Sequence, residues 1–340
     1  MMQRGSLRFW CFVLAATWTV SAYAADKAEK KDKKELQTYT DPAAAGPDFA
    51  VQGEYSGEIS TQEGQAKLGV QVIALGDGKF RARAYRGGLP GDGWDKESGK
   101  APTSYEGQTS DGVTSFPGEK GRGEIKQGAL TVYNAGGEAL GELKKVDRKS
   151  PTLGAKPPAG AVVLFDGSNT EAWDGAKMTA DGLLEVGTKT KRSFGSCRLH
   201  LEFRTPFMPT AQGQARGNSG VYLQHTYEFQ VLDSFGLEGK DNECGGLYKI
   251  MTPRLNMCYP PLSWQTYDFD FTAPKFDADG KKTANARVTL KHNGVLIYNN
   301  VELPKLTPGG RDKEAPTGPL YLQDHNNPVY YRNIWLLETP

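Results

Sequence analysis

Gly217-Asn218-Ser219-Gly220-Val221-Tyr222-Leu223-Gln224 and, two residues on, Tyr227-Glu228-Phe229-Gln230-Val231-Leu232-Asp233 combine side chains that could hold a sugar. The period of two puts Gly220, Tyr222 and Gln224 on one side of the first strand, against Ser219, Val221 and Leu223. In the second strand Glu228, Gln230 and Leu232 oppose Tyr227, Phe229, Val231 and Asp233. A strand facing a sugar needs flat aromatic rings for its C–H faces, with amides and carboxylates for its hydroxyls. Tyr222, Gln224, Glu228 and Gln230 fit that description. The same alternation also describes a strand with one buried and one solvated face, so both readings stand.

Strands must position these groups, and the C-terminal half supplies them. Strand patterns run over 183–186, 197–204, 219–224, 227–233, 266–272, 286–292, 295–299, 319–323 and 329–337, with Gly, Pro and Asn between. Short strands at close spacing indicate a two-sheet sandwich. Asn293-Gly294 marks a tight hairpin. Upstream, residues 48–148 form a small all-β unit of unknown role. Hairpins are expected there at Leu75-Gly76-Asp77-Gly78 and Asn134-Ala135-Gly136-Gly137. Residues 25–47 and the Pro-rich stretch 149–160 read as linkers. No phosphate loop, nucleophile elbow or H-E-x-x-H stretch occurs.

Arg4 and Arg8, the apolar run Phe9 to Val20 and Ala22-Tyr23-Ala24 have the layout of a secretory signal over 1–24. The apolar run is about 12 residues, short of the roughly 20 that span a bilayer. An exported protein, periplasmic or extracellular, is expected. The formal charge of +1 leaves no basic excess for nucleic acid or an anionic membrane. Export permits disulfides, and Cys244 and Cys258 bracket one loop, so a bridge is expected there, with Cys197 a buried free thiol. Oligomeric state has no signature.

The residues of the second half resemble one family throughout. Leu164-Phe165-Asp166-Gly167, Gly217-Asn218-Ser219-Gly220, Tyr227-Glu228-Phe229-Gln230, Gly246-Leu247-Tyr248, Trp264-Gln265-Thr266-Tyr267 and Gly318-Pro319-Leu320-Tyr321-Leu322-Gln323-Asp324-His325 occur in order. So do Arg332-Asn333-Ile334. They are similar to the 3-keto-disaccharide hydrolase domain, over about 161–338. The resemblance implies a concanavalin A-like jelly-roll sandwich, here preceded by the small all-β N-terminal domain. It also implies a 3-keto-glycoside or related oligosaccharide as substrate. The C3 ketone acidifies the C2 hydrogen, and the glycosidic oxygen stands β to the carbonyl. Cleavage can then run through an enolate and expulsion of the C1 substituent, followed by hydration.

That route needs a base near C2, a donor or cation near the C3 oxygen and an acid at the leaving group. Glu228, Arg332 and His325 are the candidates for these catalytic roles. Asn218, Tyr222, Gln224, Gln230, Tyr248, Trp264 and Gln323 are candidate sugar contacts. Trp335 reads as sandwich core, and Asp233 as a turn cap at its strand's end. No cofactor is called for: Asp277-Ala278-Asp279-Gly280 offers two carboxylates to a calcium ion but reads better as a turn. A second function class also fits, a lectin-like sandwich that binds a glycan without cleaving it.

Overall fold

The computed structural model describes residues 36–340. The expected signal segment and the charged stretch to Glu35 lie outside the described residues. The first strands are β1 (Gly53–Thr61), β2 (Gly64–Gly76), β3 (Lys79–Arg86), β4 (Thr103–Ser110), β5 (Val113–Gly118), β6 (Gly121–Lys126), β7 (Ala129–Asn134) and β8 (Ala139–Val146). They pair antiparallel with their neighbours, and β8 returns to β1 to close an eight-stranded barrel. The β2–β3 hairpin turns through Asp77 and Gly78, both at positive φ (55° and 71°), as a right-twisted tight hairpin requires.

Inward positions of the barrel carry Tyr55, Val70, Val72, Phe80, Phe116, Leu130 and Leu143, all buried. One end is stoppered by Tyr39, from the stretch read as linker, and by a short helix that follows it. Tyr39 exchanges backbone hydrogen bonds with Phe207 (3.0 and 2.9 Å), and Phe49 of the short helix α1 (Gly46–Val51) meets the Phe207 ring edge-on.

The sandwich contains β9 (Val162–Phe165), β10 (Trp173–Asp174), β11 (Thr188–Thr190), β12 (Cys197–Arg204), β13 (Ser219–Leu223) and β14 (Tyr227–Val231). Beyond these come β15 (Gln265–Thr272), β16 (Ala286–His292), β17 (Val295–Leu303), β18 (Tyr321–Leu322) and β19 (Tyr330–Glu338). One sheet runs β9-β19-β12-β15-β16-β17 and the other β10-β11-β18-β13-β14. Between them pack Leu199, Leu201 and Phe203 of β12, Tyr267, Phe269 and Phe271 of β15, and Val221 and Phe229 of the smaller sheet. Each such side chain contributes about 1.5–3 kcal/mol on burial. The all-β sandwich matches the expectation. The strand expected at 183–186 is absent, since Leu184 makes only isolated bridges, to Met178 and Tyr331.

The outer face of the six-stranded sheet is covered by the stretch read as a Pro-rich linker. Ser150 Oγ lies 2.6 Å from Thr266 Oγ1, and Thr152 Oγ1 donates to Asp268 Oδ2 (2.6 Å). Gly154 N donates to Glu202 Oε1 (2.5 Å). Trp335, expected in the core, lies on this outer face instead. It stacks on His200 with centroids 5.2 Å apart and donates to the Ala155 carbonyl (3.1 Å). Its neighbours Ile334 and Leu336 take the core positions, so alternation leaves Trp335 outside.

Candidate functional site

The register of β13 and β14 sets Tyr222 directly opposite Glu228 and Gly220 opposite Gln230. Val221 and Phe229 fill the sandwich core, so these polar pairs emerge on the far face of the five-stranded sheet. Tyr222 Oη donates to Glu228 Oε2 (2.7 Å). With its amide oriented to satisfy both ends, Gln230 Nε2 donates to Glu228 Oε1 (3.0 Å) and to the Ser219 carbonyl (3.0 Å). The Glu228 amide is held by Thr307 Oγ1 (2.8 Å).

A recess of about 130 Å³ opens over this pair. Buried Tyr222, Glu228, Gln230 and Asn218 form its floor, and Gln214, Tyr248, Pro308, Gly309, Gln323 and the exposed His325 complete the lining. Gln323 Nε2 donates to Tyr222 Oη (3.1 Å). Asn218 donates through Nδ2 to the Gln214 carbonyl (2.8 Å), while its buried Oδ1 has no partner. A buried acceptor left open in a polar recess suits a ligand hydroxyl.

Glu228 is the one carboxylate among the described residues lining the recess. Burial pushes its pKa up to about 7, against a smaller lowering by the Tyr222 hydrogen bond. A carboxyl poised there can take or give a proton at neutral pH. Tyr222 is held fully protonated, first by its own burial and then by the Glu228 charge. Its single proton faces Glu228, yet the Pro308 carbonyl is also in reach (3.1 Å). Protonation of Glu228 can therefore be matched by rotation of the phenol proton toward Pro308.

Gly220 makes room for this carboxylate, because a Cβ there would stand 2.6 Å from Glu228 Oε1. Gly220→Ala should displace the carboxylate while the strand persists. Misplacement of a reacting group by about 1 Å costs on the order of a hundredfold in rate. A kcat within twofold of wild type would show that the carboxylate needs no such placement.

The structure brings together Asn218, Tyr222, Glu228, Gln230, Tyr248, Gln323 and His325. It does not bring Gln224, Trp264 or Arg332. The strand stops at Leu223, and Gln224 enters a left-handed turn (φ 54°) that sends its amide to the carbonyls of Phe194 (3.2 Å) and Pro316 (3.0 Å). Arg332 belongs to the other sheet: its Nε donates to Glu202 Oε2 (2.7 Å) and its guanidinium lies 3.9 Å from the Trp264 ring centroid. That cation–π contact occupies Trp264 as well.

Asp233 ends its strand as read, accepting from Phe235 N (3.3 Å), but it also pairs with Arg216, Nε to Oδ2 at 2.6 Å. Gln214, Thr307, Pro308 and Gly309 were not foreseen. Gln214 sits in a single 3-10 turn (Gly213–Ala215) and the others in an aperiodic loop, where Pro308-Gly309-Gly310 signals only a turn.

The expected Cys244–Cys258 bridge is not formed; both are buried free thiols. Polar contacts hold this loop instead, including Cys244 N to Ser234 Oγ (2.8 Å) and Asn256 Nδ2 to the Ser234 carbonyl (2.8 Å). Cys197 is free and buried, as expected. Among the described residues no three His, Cys, Asp or Glu side chains gather as metal ligands. Asp277 Oδ1 accepts from the amides of Asp279 (3.1 Å) and Lys281 (2.9 Å), closing a turn. None of the described helices is long and apolar enough to cross a membrane.

Residues 160–337 match the family model of the 3-keto-alpha-glucoside-1,2-lyase-like domain. Among solved structures, a candidate glycosyl hydrolase from Parabacteroides distasonis ATCC 8503 is 34% identical, with a TM-score of 0.50, over 54% of this chain and 85% of that one. A second candidate glycosyl hydrolase from that organism is 18% identical, with a TM-score of 0.41, over 53% of this chain and 94% of its own. No curated protein matches the chain.

Proposed function

Because the chain belongs to the 3-keto-alpha-glucoside-1,2-lyase-like family, a carbohydrate-active role follows at the family level, and we propose specifically that its sandwich cleaves 3-keto-glycosides with Glu228 as the base. The observation that carries this reading is a single buried carboxylate with its pKa raised to about 7 at the floor of a polar recess. Ordinary glycoside hydrolysis uses two carboxyl groups flanking the scissile bond. A ketone-activated substrate asks for one base and neutral donors.

In this reading Glu228 takes the C2 proton and the C2–H electron pair becomes the enolate, with its charge on the C3 oxygen. The Gln323 amide, a neutral donor, faces that oxygen. As the C3 carbonyl re-forms, the pair moves to C1=C2 and the C1–O bond breaks. His325, exposed at the rim, gives the departing oxygen its proton. The product is a 2-hydroxy enone plus the released alcohol. Water adding at C1, with a proton returned to C2, yields the free 3-keto sugar. Tyr222 follows the charge on Glu228 by turning its hydroxyl proton between Oε2 and the Pro308 carbonyl. Asn218 Oδ1 accepts from a sugar hydroxyl. The signal-like first residues support export as the setting of this reaction.

The test is turnover of a 3-keto-disaccharide against its unoxidised parent, with deuterium incorporation at C2 followed in heavy water. Cleavage of the keto sugar alone, with C2 exchange, is expected. Equal turnover of both sugars overturns the mechanism. Saturable glycan binding with no cleavage and no C2 exchange would leave a lectin-like protein instead.

A further inference from the structure

A second cavity is remote from that recess. It lies inside the N-terminal barrel and measures about 550 Å³, within the roughly 300–1,000 Å³ typical of small-molecule sites. An eight-stranded barrel is just wide enough either to be filled by its own side chains or to hold one small ligand. This barrel does both along its length. Its stoppered end is packed by Tyr55, Phe80 and Leu143. Toward the other end the inward positions shrink: Ala84 on β3, Gly118 on β5, and Gly121 and Gly123 on β6 line the open space. Below the mouth the lining is mainly apolar, with Ile59, Leu68 and Val132 among it.

The mouth carries charge of one prevailing sign. Arg86 stands opposite Leu68, a cavity-lining residue, and so turns inward. Arg122, which also borders the cavity, has a carboxylate partner in Glu124, and Arg81, elsewhere on the barrel, has one in Glu106. Arg86 has none among the described residues. Lys120 stands at the same mouth, against one carboxylate, Glu119. An apolar pocket under an unpaired guanidinium is complementary to a molecule with a greasy body and an anionic head.

We propose that the barrel is a second binding site, which takes one small amphipathic anion with its apolar body in the cavity and its carboxylate or sulfonate beside Arg86. The site is independent of the sandwich reaction and stands whether or not Glu228 is a base. Nothing else is asked of the barrel; its strands already provide the wall, and the ligand supplies the side chains that the glycines omit.

The test is fluorescence titration of the protein with 1-anilinonaphthalene-8-sulfonate, followed by competition with dodecanoate and with dodecanol. Saturable one-site enhancement, displaced by dodecanoate, is expected. Gly123 offers a way to fill the cavity: a Cβ there meets only Leu130 Cδ1 at 3.9 Å and Phe116 Cβ at 4.0 Å. Gly123→Phe should weaken probe binding at least tenfold. Arg86→Gln, at an exposed position that leaves the core untouched, should weaken dodecanoate by roughly tenfold and leave dodecanol unchanged. Absence of probe enhancement in the wild type, or undiminished binding by a folded Gly123→Phe, overturns the site. If that variant does not fold, Arg86→Gln decides: equal effects on dodecanoate and dodecanol, or none on either, overturn the assignment of the anionic head.

Discussion

Replacing Glu228 with Gln is expected to abolish turnover of a 3-keto-glycoside and, at pH 8, to make the protein more stable. The first effect is the loss of the base, worth on the order of 10²–10⁴ in kcat. The second follows from linkage. The folded-state pKa of about 7 lies above the ordinary 4.5, so between these values the folded protein binds a proton that the unfolded chain has released. Its contribution to stability is complete below pH 4.5 and is lost as pH rises through 7. The loss amounts to about 3 kcal/mol. Gln carries no charge to bury, so the variant should equal wild type near pH 4 and exceed it by up to that amount at pH 8. The neighbouring Gln230 can turn its amide to accept from the new Nε2. Urea unfolding at both pH values reads the stability. The wild-type pH–rate profile reads the base, with kcat/KM rising through pH 7 to a plateau. A flat profile from pH 5 to 9, or a variant destabilised at pH 8, would remove Glu228 from the role assigned to it.

Much of this site was legible because two short strands keep a strict period of two. Once Val221 and Phe229 are assigned to a core, Tyr222 and Glu228 must share the opposite face, and the three-residue link Gln224 to Thr226 sets them directly opposite each other. The pattern could not show where the strand stops. Gln224 continues the alternation in sequence, but the backbone turns left-handed at Gln224 and His225 (φ 54° and 55°) and carries its amide away. Arg332 failed for a different reason. Its strand belongs to the six-stranded sheet, where Tyr331 points into the core and Arg332 to the outer face beneath residues 150–155. No position on that face can reach a recess beyond the other sheet, and sheet membership is not written in local pattern.

In the N-terminal unit the hairpins flanking Asp77-Gly78 and Gly136-Gly137 were readable from turn chemistry. Strands β4, β5 and β6 were not. Gly107, Gly118 and Gly123 occupy inward positions where a hydrophobic residue would have marked the period. At Gly118 and Gly123 the feature that hid these strands also opens the cavity.

The largest stability loss should come from Asp233→Ala, at about 3–5 kcal/mol. Asp233 and Arg216 are both buried, and the pair sits where the two halves of the chain meet. Arg216 Nη1 also donates to the Ala74 carbonyl of β2 (3.2 Å), so one guanidinium ties the end of the sandwich strand to the barrel wall. Removing the carboxylate strands a positive charge out of water, and no other acid side chain lies within ion-pair distance of it among the described residues. Removing both charges should cost far less: an Arg216→Met/Asp233→Leu double variant recovers most of the loss, because a desolvated ion pair stabilises little more than apolar groups of similar volume. Urea unfolding of the two single variants and the double variant gives the coupling directly. A shift below about 1 kcal/mol for Asp233→Ala would mean that the guanidinium finds water or another acceptor once its partner is gone, and that the seam between barrel and sandwich is held by its apolar contacts rather than by this charge pair.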